Sequence, residues 1–275
     1  MTNNKSSREG EVNAPSPASG GQVLSELRGR VLIVTLARFE KRNALNDPSV
    51  LQLGGIFAAP PEKARVAIIA AEGEHFSAGL DLSELTDRGV EAGVAHSMMW
   101  HQMFERIEFG KIPVIAVLKG AVVGGGLELA AAAHIRIAEE TTYYGLPEGQ
   151  RGIFVGGGGA VRIPRLIGLA RMQDMMLTGR TYDAAEGAAA GLSQYLVPAG
   201  TGMAKAMELA DIIADNAPLT NFAVVHALPR IVESDRQSGL VFESLMAAIA
   251  QSDPVAKERI RDFIEKRAPK VRPPR

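Results

Sequence analysis

Three short runs are β-branched and apolar, with Thr35 the single polar position among them. They are Val31-Leu-Ile-Val-Thr-Leu36, Val66-Ala-Ile-Ile-Ala70 and Pro113-Val-Ile-Ala-Val-Leu118. Runs of this length, rich in β-branched residues and without polar alternation, predict strands buried on both faces. Proline is tolerated at the first position of the third. Ile135–Ala138 and Tyr195–Val197 predict two shorter strands. Between them the period changes. Residues 91–108 have helical spacing, with Val94, Met98, Met99, Met103, Phe104 and Ile107 available for one apolar side. Leu127–Ala133 and the segments near 160–167, 169–178 and 183–190 also predict helices. Asn46-Asp47-Pro48 is a helix start, a capping side chain followed by proline in the first turn. From 201 to 267 every strong signal is helical, broken near Asn216-Ala-Pro218 and Ser252-Asp-Pro254. Strands alternate with helices, then helices continue alone. That order predicts an α/β core over residues 22–200 and a helical region over 201–275. Residues 1–21, mostly Ser, Asn, Gly, Pro and Ala with scattered charges, predict a disordered tail.

Charge and composition narrow the function. Thirty basic against 31 acidic residues give a formal net charge of −1, which opposes a nucleic-acid binder. Cysteine is absent, so disulfides, thiolate metal sites and thiol nucleophiles are excluded. The longest apolar stretch, Ala121–Ala133, is too short for a membrane span and carries Glu128. The first residues lack the apolar centre of a signal peptide, and Glu9 and Glu11 oppose a transit peptide. A cytoplasmic protein is expected. The five histidines show no H-E-x-x-H or other zinc spacing, so no metal is expected. P-loop, dinucleotide and G-x-S-x-G signatures are also missing.

The 29 glycines change the picture because they cluster beside acids. In Gly124-Gly-Gly-Leu-Glu128 the glycines allow close backbone approach, and the first N–H groups of a following helix have no partner inside it. Such donors stabilise a developing anion. Glu128 lies inside an apolar run, where desolvation raises a carboxyl pKa toward the range useful for proton transfer. A plain strand-to-helix turn with a solvent-facing Glu is the alternative. Glu148, in Tyr144-Gly-Leu-Pro-Glu148, reads alone as an ordinary loop residue. Paired with Glu128, it can divide acid and base roles. Ser77-Ala-Gly-Leu-Asp81 follows a strand and offers a second backbone donor near Gly79–Leu80, or else a simple turn.

These pieces, in this order, resemble the crotonase family, the enoyl-CoA hydratase/isomerase superfamily. The resemblance runs from about Val31 to Lys266. It is carried by Lys41-Arg-Asn-Ala-Leu-Asn46, Phe76-Ser-Ala-Gly-Leu-Asp-Leu82, Gly120-Ala-Val-Val-Gly-Gly-Gly-Leu-Glu-Leu-Ala130, Tyr144–Gly152, Gly156–Gly168 and Asp262-Phe-Ile-Glu-Lys266. It implies a spiral of ββα units with a C-terminal helical region that packs at a trimer interface, as a homotrimer or a hexamer made of two trimers. It implies an acyl-CoA thioester substrate and no separate cofactor, since coenzyme A is part of the substrate. Leu80 and Gly125 match the positions whose N–H groups hold the thioester oxygen, and Glu128 and Glu148 match the hydratase acid/base pair. Lys41, Ala44, Ala78, Gly79, Asp81, Leu82 and Gly124 fall at thioester-binding positions, and Phe263 and Lys266 match positions near the CoA phosphates. Trp100 and Met103 would line the acyl pocket and suit a bulky or aromatic chain. Departures are Phe39 in place of a usual Pro, Val155 in place of another, and Leu127 where hydratases often carry a smaller residue. The activity so implied is enoyl-CoA hydration. Isomerase or hydratase-lyase chemistry on the same thioesters, and a non-catalytic acyl-CoA- or RNA-binding relative, are the alternatives.

Overall fold

The structure is a computed structural model that describes residues 22–84 and 88–267. The tail expected over residues 1–21 lies outside the described residues. The strands are β1 (Val23–Arg28), β2 (Val31–Leu36), β3 (Val66–Ala71), β4 (Val114–Leu118), β5 (Ala121–Val123), β6 (Ile135–Glu139), β7 (Tyr143–Gly145), β8 (Tyr182–Asp183) and β9 (Tyr195–Val197). A six-stranded sheet runs β1-β2-β3-β4-β6-β9, antiparallel at β1–β2 and parallel elsewhere. A second sheet holds β5-β7-β8.

The central parallel strands β3 and β4 read as unbroken apolar runs because both faces are covered. In β3, Ala67, Ile69 and Ala71 face the main core with Phe57, Phe104, Leu118 and Tyr144. Val66, Ile68 and Ala70 face the opposite way. There they meet Ala206, Leu209, Ala210 and Ala214 of α7 (Gly202–Asp215), the helix that opens the C-terminal region.

The helices before α7 are α1 (Asp47–Ala58), α2 (Val90–Glu108), α3 (Gly125–Ala132), α4 (Gly159–Ile167), α5 (Leu169–Thr178) and α6 (Ala184–Ala190). Asn46 caps α1 by accepting from the Ser49 N–H, with proline in the first turn as the sequence predicts. The helix ends at Ala58, ahead of Pro60 and Pro61. On α2 the expected apolar side holds for Met103, Phe104 and Ile107. Val94 and Met98 instead are more than half exposed, and Trp100 is buried. The C-terminal half of α2 rests on the core, whereas the turn containing Val94 rises past it.

After α7 come α8 (Pro218–Phe222), a π-helical turn over Ala223–Ala227, α9 (Leu228–Glu233), α10 (Arg236–Ser252) and α11 (Pro254–Ile264). Asp253 caps α11 through the Val255 and Ala256 N–H groups, at the break the sequence predicts. Among the described residues no helix is long and apolar enough to cross a membrane.

Candidate active site

Three parallel segments lie side by side and turn at the same level. Ser77 bridges Val122, donating its N–H to Ala121 O and accepting from the Val123 N–H. On the other side of β5, β7 pairs in register so that Val123 stands opposite Gly145. The Gly124 N–H donates to Gly145 O at 2.9 Å. The chain leaving each segment therefore emerges on one edge. From left to right those exits carry Leu80, then Gly125 and Glu128, then Glu148.

The first two exits aim backbone donors. Leu45 donates to Gly79 O and accepts from the Asp81 N–H, as in a parallel bridge to Leu80. That pattern turns the N–H of Leu80 itself to the opposite side, where no described group accepts it. Gly125 is the first residue of α3, so its N–H has no partner within the helix. The two donors are close, because a Cβ built on Gly125 would stand 3.4 Å from Leu80 N. They sit at the positive end of α3, a place suited to an anion. Gly79 makes the approach possible. It has φ +94°, and a Cβ there would meet Val123 O at 2.7 Å and Gly125 N at 3.3 Å.

The last two exits place the carboxyls. Glu128 is 3% exposed and its Oε1 accepts from the N–H groups of Gly157 and Gly159, both at 2.8 Å. Burial pushes its pKa up, and those donors pull against the shift. Glu148 is 8% exposed, and its Oε2 is buried without a hydrogen-bond partner. Burial pushes its pKa up to about 7, helped by the nearby charge of Glu128. Its Oε1 lies against the open face of Gly124, 2.6 Å from where a Cβ would be. Both carboxyls and both donor residues line one cavity of about 410 Å³. A buried acceptor oxygen left without a donor is costly in a finished core, whereas it is in place where a reacting group binds.

The sequence profile of the family described as Enoyl-CoA hydratase/isomerase matches residues 26–272. The chain belongs to that family. It is 32% identical to the short-chain-enoyl-CoA hydratase of Clostridium acetobutylicum, over 89% of this chain and 95% of that one. It is also 32% identical to the 2,3-dehydroadipyl-CoA hydratase of Escherichia coli, over 87% and 94%. A solved chain from Rhodopseudomonas palustris superposes with a TM-score of 0.88 at 56% identity, covering 92% of this chain and 98% of that one. An enoyl-CoA hydratase from Bacillus anthracis gives 0.83 at 31% identity, covering 90% and 98%. These likenesses give the fold its family name, a crotonase fold.

Within this family member a second cleft, also about 410 Å³, adjoins the first at Leu80. It is lined by Lys41, Ala44, Ala78, Asp81 and Leu82, together with Arg42 and Arg151. Asp81 organises that mouth. Its Oδ1 accepts from the Ser83 hydroxyl at 2.7 Å, and its Oδ2 from Arg38 at 3.0 Å and Lys41 at 3.4 Å. The Ser83 hydroxyl above all, with Arg38 and Lys41, holds the Asp81 carboxyl well below the usual range, against its burial.

Two groups of expected site residues lie elsewhere. Met103 packs against α1 at Gly54, whose missing side chain makes room for its sulfur, and does not line the cavity. Phe263, exposed at the end of α11, and Lys266 just beyond it line neither cleft in the single chain. Trp100 does line the active cavity, with its ring against Gly125.

Sequence reasoning missed the network behind Trp100. Asp47 Oδ1 accepts from Trp100 Nε1 at 3.0 Å and pairs with His96 Nε2 at 2.7 Å. Asp47 Oδ2 lies 3.6 Å from Arg88. Gly93, His96, Ser97 and Trp100 all line the cavity, and their i, i+3, i+4, i+7 spacing was the available signal. Ser97 donates its hydroxyl to Gly156 O at 2.6 Å, fixing the loop whose next residues hold Glu128.

Proposed function

We propose that this protein is a 2-enoyl-CoA hydratase, and the observation that carries it is the pairing of Glu128 and Glu148 in one cavity with two free backbone donors. Adding water across a double bond conjugated to a thioester develops enolate charge on the thioester oxygen. The Leu80 and Gly125 N–H groups are placed to receive that charge. Glu128, steadied by the Gly157 and Gly159 donors, takes a proton from water as its oxygen bonds to the β-carbon. Glu148, held protonated near neutral pH, gives its proton to the α-carbon. Proton return from Glu128 to Glu148 through exchange with solvent restores both groups. The coenzyme lies along the Lys41–Leu82 cleft, which meets the reacting cavity at Leu80. Isomerisation moves one proton out and back and needs one carboxyl, so the pair favours hydration. The expected result with crotonyl-CoA is a product 18 Da heavier by mass spectrometry. Unchanged mass with a moved double bond would replace this reading by isomerisation.

The same reading extends to assembly. Phe222, Val224, Leu228 and Val232 are exposed along α8–α9, and Leu240, Val241, Phe242, Leu245 and Ile249 along α10. So much contiguous exposed apolar surface marks an interaction face. We infer a homotrimer, or a hexamer of two trimers, built on this helical region. Phe263 and Lys266 would meet the coenzyme when assembly brings α11 beside a cleft. Light scattering is expected to give three or six times the 29.2 kDa chain mass. A monomer at micromolar concentration would overturn it.

A further inference from the structure

The reacting cavity is not lined by apolar groups alone. One helical turn along α2 from Trp100, whose ring touches Gly125, His96 lines the same cavity. Arg88 stands before the start of the same helix and lines the same cavity. Its apolar walls include Trp100, Ile153, Phe154 and Val155. The cavity thus combines apolar walls with polar groups other than the two glutamates.

Arg88 is the unusual member. Its side chain is 23% exposed and lines the cavity. Among the described residues its one partner is Asp47, at 3.6 Å, beyond hydrogen-bond reach. Asp47 faces it with Oδ2, while its Oδ1 takes both the His96 ring nitrogen and the Trp100 indole N–H. The Arg88 guanidinium donates no hydrogen bond to a described residue, and its side chain lines the cavity. A cation in a cavity wall whose forked donors make no hydrogen bond to a described residue fits a carboxylate, which it can hold through two parallel hydrogen bonds. Asp47 acts as a positioning residue. It fixes His96 and Trp100 so that the cavity wall and its polar groups keep a set spacing.

We propose that Arg88, with His96 beside it, is a clamp for a terminal carboxylate on the acyl chain, so that the cavity takes the monothioesters of short unsaturated dicarboxylic acids in preference to alkyl or aromatic enoyl groups. The proposal rests on the hydratase reading for the reaction, though not for recognition. An apolar chain offers the clamp no acceptor, whereas a carboxylate does. Discrimination against a ligand lacking the polar group is large when the site's own polar groups are then left without partners.

The test separates binding from chemistry by using saturated thioesters, which cannot be hydrated. Adipyl-CoA, hexanoyl-CoA and 6-hydroxyhexanoyl-CoA are titrated calorimetrically into the full-length protein. Adipyl-CoA is expected to bind at least tenfold more tightly than either of the others. In Arg88→Met that preference is expected to fall at least tenfold, and in Arg88→Lys, which keeps the charge and loses the fork, to an intermediate ratio. The affinity ratio is independent of the fraction of folded protein, so partial misfolding of a variant does not mimic the result. Equal or weaker binding of adipyl-CoA to the wild type would overturn the clamp. A preference that survives Arg88→Met would overturn the role of Arg88, and equal binding of the hydroxyl-ended chain would overturn the anion. Hydration of 5-carboxy-2-pentenoyl-CoA, read as an 18 Da gain, is measured in parallel. Its failure beside a positive titration would sink the hydratase reading and leave the clamp standing.

Discussion

Glu148→Gln is expected to hydrate crotonyl-CoA with kcat lower by roughly 10²–10⁴-fold, the usual worth of a positioned general acid, while its melting temperature at pH 8 stays equal to the wild type or rises. Gln keeps the shape and cannot give a proton to carbon. The stability half follows from linkage. Burial raises the Glu148 pKa from 4.5 to about 7 in the folded protein. A group whose folded pKa is raised adds stability below its unfolded pKa, and that stability is lost as pH rises through the folded value. Between pH 4.5 and about 7 the wild type therefore loses stability through this group, and at pH 8 it carries the cost of a buried charge. Gln removes that cost. The pH profile should change as well. In the wild type the basic limb near pH 7 reports loss of the acid and the acidic limb protonation of the base, with apparent values belonging to the coupled pair. Glu148→Gln should lose the basic limb, and Glu128→Gln, with a comparable loss of rate, the acidic one. Wild-type rates in either protein would end its role in proton transfer.

How far this site was legible follows from the range of the interactions that build it. Gly124-Gly-Gly126 before Glu128 is a local strand–turn–helix signal, and the three-residue turn can be read from the chain alone. The same holds for the Asn46 cap and for the apolar runs of β2, β3 and β4. The strands that align the three exits were not legible. β5 and β7 have three residues each, and β5 merges with the apolar helix that follows it. β1 buries only its first residue, so it shows no alternation. The bridge from Ser77 to Val122 joins segments 45 residues apart and leaves no periodic trace. Asp47 shows the limit most clearly. Its sequence context states a helix start and is correct, yet its side chain turns Oδ1 to α2 and Oδ2 to Arg88 just ahead of it, 41–53 residues away. Phase explains Trp100 and Met103. Both are buried, but the gap at Gly54 turns Met103 to α1 and leaves Trp100 to the cavity.

Gly79→Ala should lower kcat by about 10²–10³-fold, the cost of losing one oxyanion donor, even though residue 79 carries no reacting group. Alanine at φ +94° is strained, and its methyl would stand 2.7 Å from Val123 O and 3.3 Å from Gly125 N. Both atoms are backbone, so neither yields as a flexible side chain would. Relief must move the 77–81 turn away from β5 or push the start of α3, and either motion spreads the Leu80 and Gly125 N–H groups that have to converge on one oxygen. A structural loss alone would reduce the amount of active protein and leave each folded molecule competent. Two measurements tell these apart. With enzyme concentration set by active-site titration, kcat per site should still fall. A conjugated aromatic enoyl-CoA should redden in absorbance when bound to the wild type, because donors on its carbonyl oxygen polarise the chromophore, and that shift should shrink in Gly79→Ala at saturation. If the coenzyme lies in the cleft organised by Asp81 and Lys41, as proposed, that cleft only begins at Leu80, so KM should change much less than kcat. A normal kcat with a normal spectral shift would mean that the thioester oxygen is held by donors other than Leu80 and Gly125. The roles of both glutamates would then have to be rebuilt around a different anchor, since their reach to the α- and β-carbons is defined from that oxygen.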